Sequence, residues 1–196
     1  MSYELFSALM IFAFVSSITP GPNNLMLMSS GANFGFKPTI PHLLGVGIGF
    51  TMMIVLVGLG VIQIFDHFPM SYQILKVVSI IYLLYLALKI ALANTSAKEK
   101  ASRAKPMTFI QAALFQWVNP KAWTMALTAI SIYAPSKSIF AVLLVALIFG
   151  LVNIPCIISW IVLGQKMQTL LNNQKHLKAF NITMAALLVL SVYPAI

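Results

Sequence analysis

Long apolar runs without a single charged residue constrain the fold of this chain more than any other feature. One such run covers residues 5–29 and another covers residues 43–65. Only 8% of the residues are charged and 60% are hydrophobic, whereas a soluble domain carries about 25% charged residues. The core of a lipid bilayer is crossed by helices of about 20 apolar residues. The chain is therefore predicted to be an all-α membrane protein, and a soluble or disordered chain is excluded.

Six apolar runs are long enough to cross a bilayer as helices. They cover residues 5–29, 43–65, 72–93, 107–132, 138–164 and 179–196. The stretch 94–106 is the most polar part of the chain and is typical of a solvated linker. We therefore predict one membrane domain over residues 1–196. Its first repeat covers about residues 1–93, its cytoplasmic linker about 94–106 and its second repeat about 107–196.

The net charge of +9 indicates membrane orientation rather than a nucleic-acid partner, because Lys and Arg concentrate in cytoplasmic loops. The loops expected after the first, third and fifth spans contain eight of these residues: Lys37, Lys98, Lys100, Arg103, Lys105, Lys166, Lys175 and Lys178. The loop after the fourth span contains only Lys137. We therefore expect the eight-charge side to be cytoplasmic and both termini to be periplasmic, in a bacterial inner membrane.

Two proline-containing breaks lie at corresponding positions of the two predicted repeats. Thr19-Pro20 and Asn119-Pro120 are 100 residues apart, each near the middle of the first span of its repeat. Three spans per repeat make the second repeat enter the membrane from the opposite side. Matched broken helices in such inverted repeats are typical of secondary transporters, which bind substrate near the bilayer midplane. The sequence thus predicts a 3+3 inverted repeat with broken first and fourth helices.

Each proline removes one backbone hydrogen bond within its helix. Pro20, Pro22 and Pro120 are expected to free the carbonyl groups of Ser16, Ile18 and Gln116. Such groups must be satisfied by protein or by a water-filled cavity. The half-helix after each break presents free N–H groups and a positive dipole end. Thr19 or Gly21, and Asn119, are the predicted N-caps.

Lys121 lies too deep in the fourth span to reach either membrane surface easily, and a cation there is costly. The three acidic residues of the chain, Glu4, Asp66 and Glu99, all lie outside the predicted spans. We therefore expect Lys121 to face a wet cavity, where it would bind a substrate carboxylate together with the Asn119 half-helix. The alternative is a lysine held by backbone carbonyl groups for packing.

The first break offers neutral acceptors to a substrate ammonium group. Asn23 and Asn24 carry amide oxygens, and carbonyl groups near Thr19 are expected to be free. A cavity with one cationic end and one acceptor-rich end matches a zwitterionic amino acid. The predicted binding residues are Thr19, Pro20, Gly21, Pro22, Asn23, Asn24, Gln116, Asn119, Pro120 and Lys121.

The motifs Thr19-Pro20-Gly21-Pro22-Asn23 and Asn119-Pro120-Lys121-Ala122 resemble the signature of LysE/RhtB-type amino-acid exporters, and the resemblance covers the whole chain. Within that family the chain is most similar to exporters of cysteine and O-acetylserine. The resemblance implies a secondary transporter that exports small neutral amino acids by alternating access. Proton antiport is implied only by the resemblance, since the spans contain no carboxylate that could carry the proton. Facilitated export therefore stays open.

Other functions remain as alternatives. One is export of another amino acid, of the homoserine, threonine, leucine or lysine type, or of a metal cation. Another is a membrane assembly module that transports nothing. An enzyme is not expected, because no H-E-x-x-H, Walker A or G-x-S-x-G motif occurs. No cofactor, metal or nucleic acid is expected, and a homodimer is an open question.

Overall fold

The computed structural model describes residues 1–61, 67–92, 105–134, 138–167, 171 and 173–191. Within these ranges the chain forms helices and no strand, so the all-α prediction is confirmed. The end of the predicted second span, most of the linker 94–106 and the last five residues of the predicted sixth span lie outside the described residues.

The first half of the described chain contains four helices. Ser2 begins the first one, because its side chain accepts a hydrogen bond of 3.2 Å from the Leu5 N–H group. The helices are α1 (Tyr3–Ile18), α2 (Pro22–Phe34), α3 (Phe36–Leu56) and α4 (Pro69–Ala91). The axes of α1 and α2 are bent by 52° at the first break. A wider π-helical turn, Val57–Val61, continues α3.

The second half also contains four helices. A capping box begins the first of them, since the Thr108 side chain binds the Gln111 N–H group and the Gln111 side chain binds the Thr108 N–H group. The helices are α5 (Phe109–Phe115), α6 (Pro120–Tyr133), α7 (Ile139–Met167) and α8 (Gln174–Leu190). A short 3₁₀ turn, Gln116–Val118, lies between α5 and the second break.

The expected loop with Lys37 after the first span is wrong. Only Gly35 separates α2 from α3, and Lys37 lies in the first turn of α3. Gly35 has a φ of 84°, a value that glycine adopts without steric cost. Its N–H group also binds the Gly31 carbonyl at 2.9 Å, so one residue ends α2 and allows α3 to begin.

The last described helix begins before the predicted sixth span of about residues 179–196. Helix α8 begins at Gln174 instead of residue 179 because the Asn173 side chain caps the Lys175 N–H group at 2.9 Å. This cap adds a polar first turn before the apolar part of the helix.

Three described helices are long and apolar enough to cross a membrane alone, and the bent α1–α2 pair makes a fourth candidate. The predicted fourth span is divided at its break, and α8 has 17 residues, just below the length of about 20 that a bilayer core requires. The lipid-facing character is strongest in Gln73–Ala91, where only 22% of the span is buried. Six crossings therefore stay a prediction, while a multi-pass helical membrane protein is established.

Helix α7 occupies the centre, where it packs against α1, α2 and α3. Glycines allow the closest approaches, as small residues commonly do where membrane helices pack. A Cβ atom on Gly31 would collide with the Ile161 carbonyl of α7, and one on Gly164 would collide with the Met28 carbonyl of α2. A Cβ atom on Gly49 would lie 2.7 Å from Ala113 Cα of α5. This packing fixes both breaks beside α7.

Candidate functional site

The first break leaves carbonyl groups at the end of α1, and polar side chains satisfy them. The Ser16 carbonyl accepts a hydrogen bond of 3.1 Å from Thr19 Oγ1. The Ile18 carbonyl accepts one of 3.2 Å from Trp160 Nε1 of α7. These are the two carbonyl groups that Pro20 and Pro22 are expected to free, and neither is left without a donor.

Asn24 supports the same helix end from the start of α2. Its Nδ2 group donates to the Ser17 carbonyl at 2.7 Å and to the Thr19 carbonyl at 2.8 Å. Asn24 is buried, with 4% of its surface exposed. Its amide group thus holds the two sides of the break together and already uses its donors within the protein.

Gly21 is the N-cap of α2, and no side chain caps the helix. Its φ of −177° is extended backbone that any residue adopts. The requirement for glycine comes instead from Lys121, because a Cβ atom at Gly21 would lie 2.6 Å from Lys121 Cδ. Pro22, the first residue of α2, has no N–H group. The N–H groups without a side-chain cap at this helix start are therefore those of Asn23 and Asn24, where a helix N-terminus favours an anion.

The second break has a different local construction. Asn119 is the N-cap of α6, and its Oδ1 atom accepts a hydrogen bond of 3.2 Å from the Lys121 N–H group. Pro120 follows as the first residue of α6. The Gln116 carbonyl, which Pro120 is expected to free, accepts a hydrogen bond of 3.3 Å from the Asn119 N–H group. The predicted N-cap at Asn119 is thus present.

A reciprocal amide pair joins the two breaks. Asn23 Nδ2 donates to Gln116 Oε1 at 2.8 Å, and Gln116 Nε2 donates to Asn23 Oδ1 at 3.2 Å. Gln116 is fully buried, and its Nε2 group also donates to the Ala112 carbonyl at 2.8 Å. Residues 93 positions apart in the sequence therefore form one polar contact between the two predicted repeats.

Lys121 makes the second contact between the breaks. Its Nζ group donates to the Thr19 carbonyl at 2.8 Å, to Thr19 Oγ1 at 2.9 Å and to the Pro20 carbonyl at 3.2 Å. Glu4, the only acidic residue in the described ranges, lies far along the chain in the first turn of α1. The ammonium group of this conformation is thus held by neutral oxygens, the arrangement that the sequence left as the alternative.

A cavity of about 30 Å³, lined by both polar and apolar side chains, lies beside these contacts. Five of the predicted binding residues line it: Gly21, Asn23, Asn24, Asn119 and Lys121. The others, Thr19, Pro20, Pro22, Gln116 and Pro120, build the two breaks around it without lining it. The structure therefore brings the two sequence motifs to one place near the centre of the protein.

Seven further residues line the cavity, and the sequence did not predict them as binding residues. They are Ser16, Ser17, Phe50, Ala122, Met125, Asn153 and Ile157. Asn153 carried a signal that could have been used, since it is an asparagine inside the long apolar helix α7. Ser17 carried none, because serine is common in membrane helices.

Two buried side chains have polar atoms without a partner among the described residues. Ser17 Oγ is one, and it belongs to a residue that lines the cavity. The two ring nitrogens of His42, on α3, are the others, and His42 does not line the cavity. Buried polar groups nearly always have a partner, and of these two residues only Ser17 lies at the cavity.

The chain matches a protein family over nearly its whole length. The family is described as LysE type translocator, and its model matches residues 14–192. The predicted resemblance to LysE/RhtB-type exporters is thereby confirmed.

Among curated proteins, the chain is similar to the cysteine/O-acetylserine efflux protein of Escherichia coli (strain K12), with 28% identity over 194 residues and 96% of each chain covered. Proteins of the same description from Shigella sonnei (strain Ss046) and Shigella flexneri have the same identity and coverage. No solved structure matches the chain significantly. The matched residues include both breaks and α7, and the chain belongs to the LysE type translocator family.

Proposed function

We propose that this protein exports small neutral amino acids of the cysteine and O-acetylserine type across the bacterial inner membrane. The observation that carries this proposal is the meeting of two proline-broken half-helices at one cavity, with the Lys121 ammonium group of one break bound to the Thr19 carbonyl group of the other. The names of the similar proteins support amino-acid efflux as the activity. Membership of a translocator family supports transport rather than catalysis.

The carboxylate group of the substrate would bind at the positive ends of the half-helices. The N-terminus of α2 has no side-chain cap, so its N–H groups and helix dipole favour an anion. Asn119 and Lys121, at the start of α6, line the same cavity. Lys121 would complete this site when its Nζ group turns from Thr19 to the carboxylate.

The ammonium group of the substrate would take the place that Lys121 leaves. The carbonyl groups of Thr19 and Pro20 and the Thr19 hydroxyl group accept three hydrogen bonds from a primary ammonium group in this structure. A substrate ammonium has the same charge and the same three donors. Asn23 and Asn24 supply further amide oxygens beside it. The residues thus suit a zwitterion at both ends.

Transport would require the two repeats to move relative to each other. A cavity of about 30 Å³ has room for about two water molecules, which is less than a cysteine molecule occupies. The proposed motion is a rocking of residues 1–93 against residues 107–196, with the Asn23–Gln116 and Lys121–Thr19 contacts broken and formed again. Proton coupling is one version of this cycle, and facilitated export down a concentration gradient is the other.

A metal cation is a weaker candidate for the cargo. No group of three or more His, Cys, Asp or Glu side chains that could hold a metal occurs in the described ranges. The positive helix ends and Lys121 would also repel a cation. Export of a homoserine-, threonine-, leucine- or lysine-type amino acid is another alternative. Competition between these amino acids and labelled cysteine for exchange distinguishes it from the proposal. A membrane assembly module would carry no solute at all.

Counterflow in proteoliposomes tests the proposal. Vesicles loaded with unlabelled cysteine, O-acetylserine or other amino acids are expected to accumulate labelled cysteine or O-acetylserine from outside. Lys121→Ala is expected to abolish this exchange, because both the carboxylate site and the release of the Thr19 carbonyl group depend on the ammonium group. Lys89→Ala, at the exposed end of α4, removes the same charge away from the cavity and is expected to retain exchange.

Two outcomes would contradict the proposal. If the folded protein exchanges no amino acid, export of this substrate class is wrong. If Lys121→Ala exchanges at the wild-type rate, Lys121 is a packing residue and the carboxylate binds elsewhere. Insertion and monodispersity of each variant in detergent show that a loss of exchange is not a loss of the protein.

A further inference from the structure

Most of the polar side chains around the cavity already form hydrogen bonds within the protein. Asn23 is paired with Gln116, Asn24 with carbonyl groups of the first break, and Lys121 with Thr19. The Ser16 hydroxyl group donates to the Phe12 carbonyl of its own helix. These groups form and stabilise the two breaks.

Ser17 and Asn153 are different. Ser17 Oγ is buried and has no hydrogen-bond partner among the described residues. Asn153 is 4% exposed, and its side chain takes no part in the hydrogen bonds within the described part of the chain. Both residues line the cavity, Ser17 from α1 and Asn153 from α7. Burying a polar group without a partner in a membrane protein is unfavourable, so packing does not explain Ser17. Asn153 adds an amide group to the wall of the same cavity.

We propose that Ser17 and Asn153 form the subsite for the substrate side chain and select small side chains that carry a hydrogen-bonding oxygen or sulfur atom. This inference rests on the proposed amino-acid export and adds the residues that distinguish one amino acid from another. A serine hydroxyl group both donates and accepts a hydrogen bond, and an asparagine amide group does the same through separate atoms. The subsite therefore suits a substrate group that donates a hydrogen bond as well as one that accepts it.

The remaining walls of the cavity limit the size of that side chain. Phe50 and Ile157 are at most 2% exposed and belong to the packed core, and Met125 lies beside them on the cavity surface. A long basic or a branched apolar side chain would have to displace these groups, and it would leave Ser17 and Asn153 without partners. A site built to bind a polar group rejects an apolar analogue for this second reason.

Competition in the counterflow assay tests the subsite. Serine and cysteine are each compared with 2-aminobutyrate, in which a methyl group replaces the hydroxyl or thiol group at nearly the same size. Wild-type protein is expected to prefer serine and cysteine. Ser17→Ala and Asn153→Leu are each expected to reduce this preference by about twofold to tenfold, as for the loss of one net hydrogen bond, while inhibition by 2-aminobutyrate stays nearly unchanged.

Ser7→Ala is the matched control, since Ser7 lies on the same helix and its hydroxyl group donates to the Tyr3 carbonyl. It is expected to keep the wild-type preference. If Ser17 and Asn153 have a purely structural role, their variants will bind all three competitors equally more weakly, and that result overturns the inference. A wild-type protein that does not prefer serine and cysteine over 2-aminobutyrate overturns it as well. If Ser17→Ala does not fold, the substrate preference of Asn153→Leu alone tests the inference. A wild-type protein that exchanges no amino acid would instead contradict the proposed function itself.

Discussion

Lys121 and Gly21 form one unit at the scale of single residues. The aliphatic stem of Lys121 passes the Gly21 backbone so closely that no side chain fits between them. Its Nζ group then reaches the oxygens of Thr19 and Pro20. The glycine is required here by contact with another residue, since its own backbone angles are available to alanine.

Gly21→Ala is expected to impair transport while it leaves the fold intact. The added Cβ atom would lie 2.6 Å from Lys121 Cδ and 3.1 Å from Nζ, and a flexible side chain moves aside at little cost. Displacement of Nζ loses at least one charge-assisted hydrogen bond, so exchange should fall about tenfold. Counterflow and thermal unfolding in detergent are measured together. Wild-type exchange by this variant would show that the position of the Lys121 ammonium group is unimportant.

Contacts between whole helices depend on glycines of two kinds. Gly31 faces the backbone of α7, so that an added Cβ atom meets the Ile161 carbonyl, which cannot rotate away. Gly47 faces side chains instead, at 3.5 Å from Ile154 Cγ1 and 3.8 Å from Ile157 Cδ1. These latter distances are ordinary van der Waals contacts. Sequence spacing alone does not distinguish the two kinds.

Gly31→Ala is expected to destabilise the protein and Gly47→Ala is not. Overpacking against backbone costs about 1–3 kcal/mol, which exceeds the gain of up to about 1 kcal/mol from replacing a helical glycine by alanine. The Tm of Gly31→Ala in detergent should therefore be several degrees below that of the wild-type protein. The Tm of Gly47→Ala should be equal to the wild-type value or slightly higher. Equal Tm values for the two variants would mean that α2 and α7 separate without cost.

For the whole molecule, the number of crossings depends on the second repeat. The described helices include three that are long and apolar enough to cross a membrane alone, and the bent α1–α2 pair is a fourth candidate. Helices α5 and α6 together cover the predicted fourth span but are divided at Asn119. If the pair crosses the bilayer, the repeats are inverted, and the predicted orientation then puts the loop after α6 on the periplasmic side.

Reporter fusions test this topology. Alkaline phosphatase, which is active only in the periplasm, is fused after Ala134 at the end of α6 and after Lys105 at the end of the linker. Six crossings with the proposed orientation predict activity at Ala134 and none at Lys105. Inactivity at both positions would mean that α5 and α6 do not cross, and that the inverted-repeat proposal is wrong. A fusion at the C-terminus is expected to be active in the six-crossing topology and inactive if α5 and α6 do not cross while α7 and α8 do.

The local features of this protein could be predicted from the sequence because their causes are local. Proline lacks an N–H group wherever it stands, so the breaks at Pro20 and Pro120 and the N-cap at Asn119 follow from neighbouring residues. The membrane environment follows from the charge-free runs. Helix starts at Phe36 and Gln174 were less predictable. The backbone of Gly35, with a φ of 84°, lets α3 begin directly after α2, and the Asn173 cap begins α8 before its apolar run.

Contacts between distant residues depended on the tertiary structure. The sequence placed Lys121 near a break but did not show that its ammonium group would bind the Thr19 and Pro20 oxygens of the other repeat. The Asn23–Gln116 pair and the cavity positions of Ser17 and Asn153 were likewise undetermined. The physical reason is that hydrogen bonds act over about 3 Å. Which groups come that close is decided by the packing of α1, α2, α3 and α7, which no single segment of sequence contains.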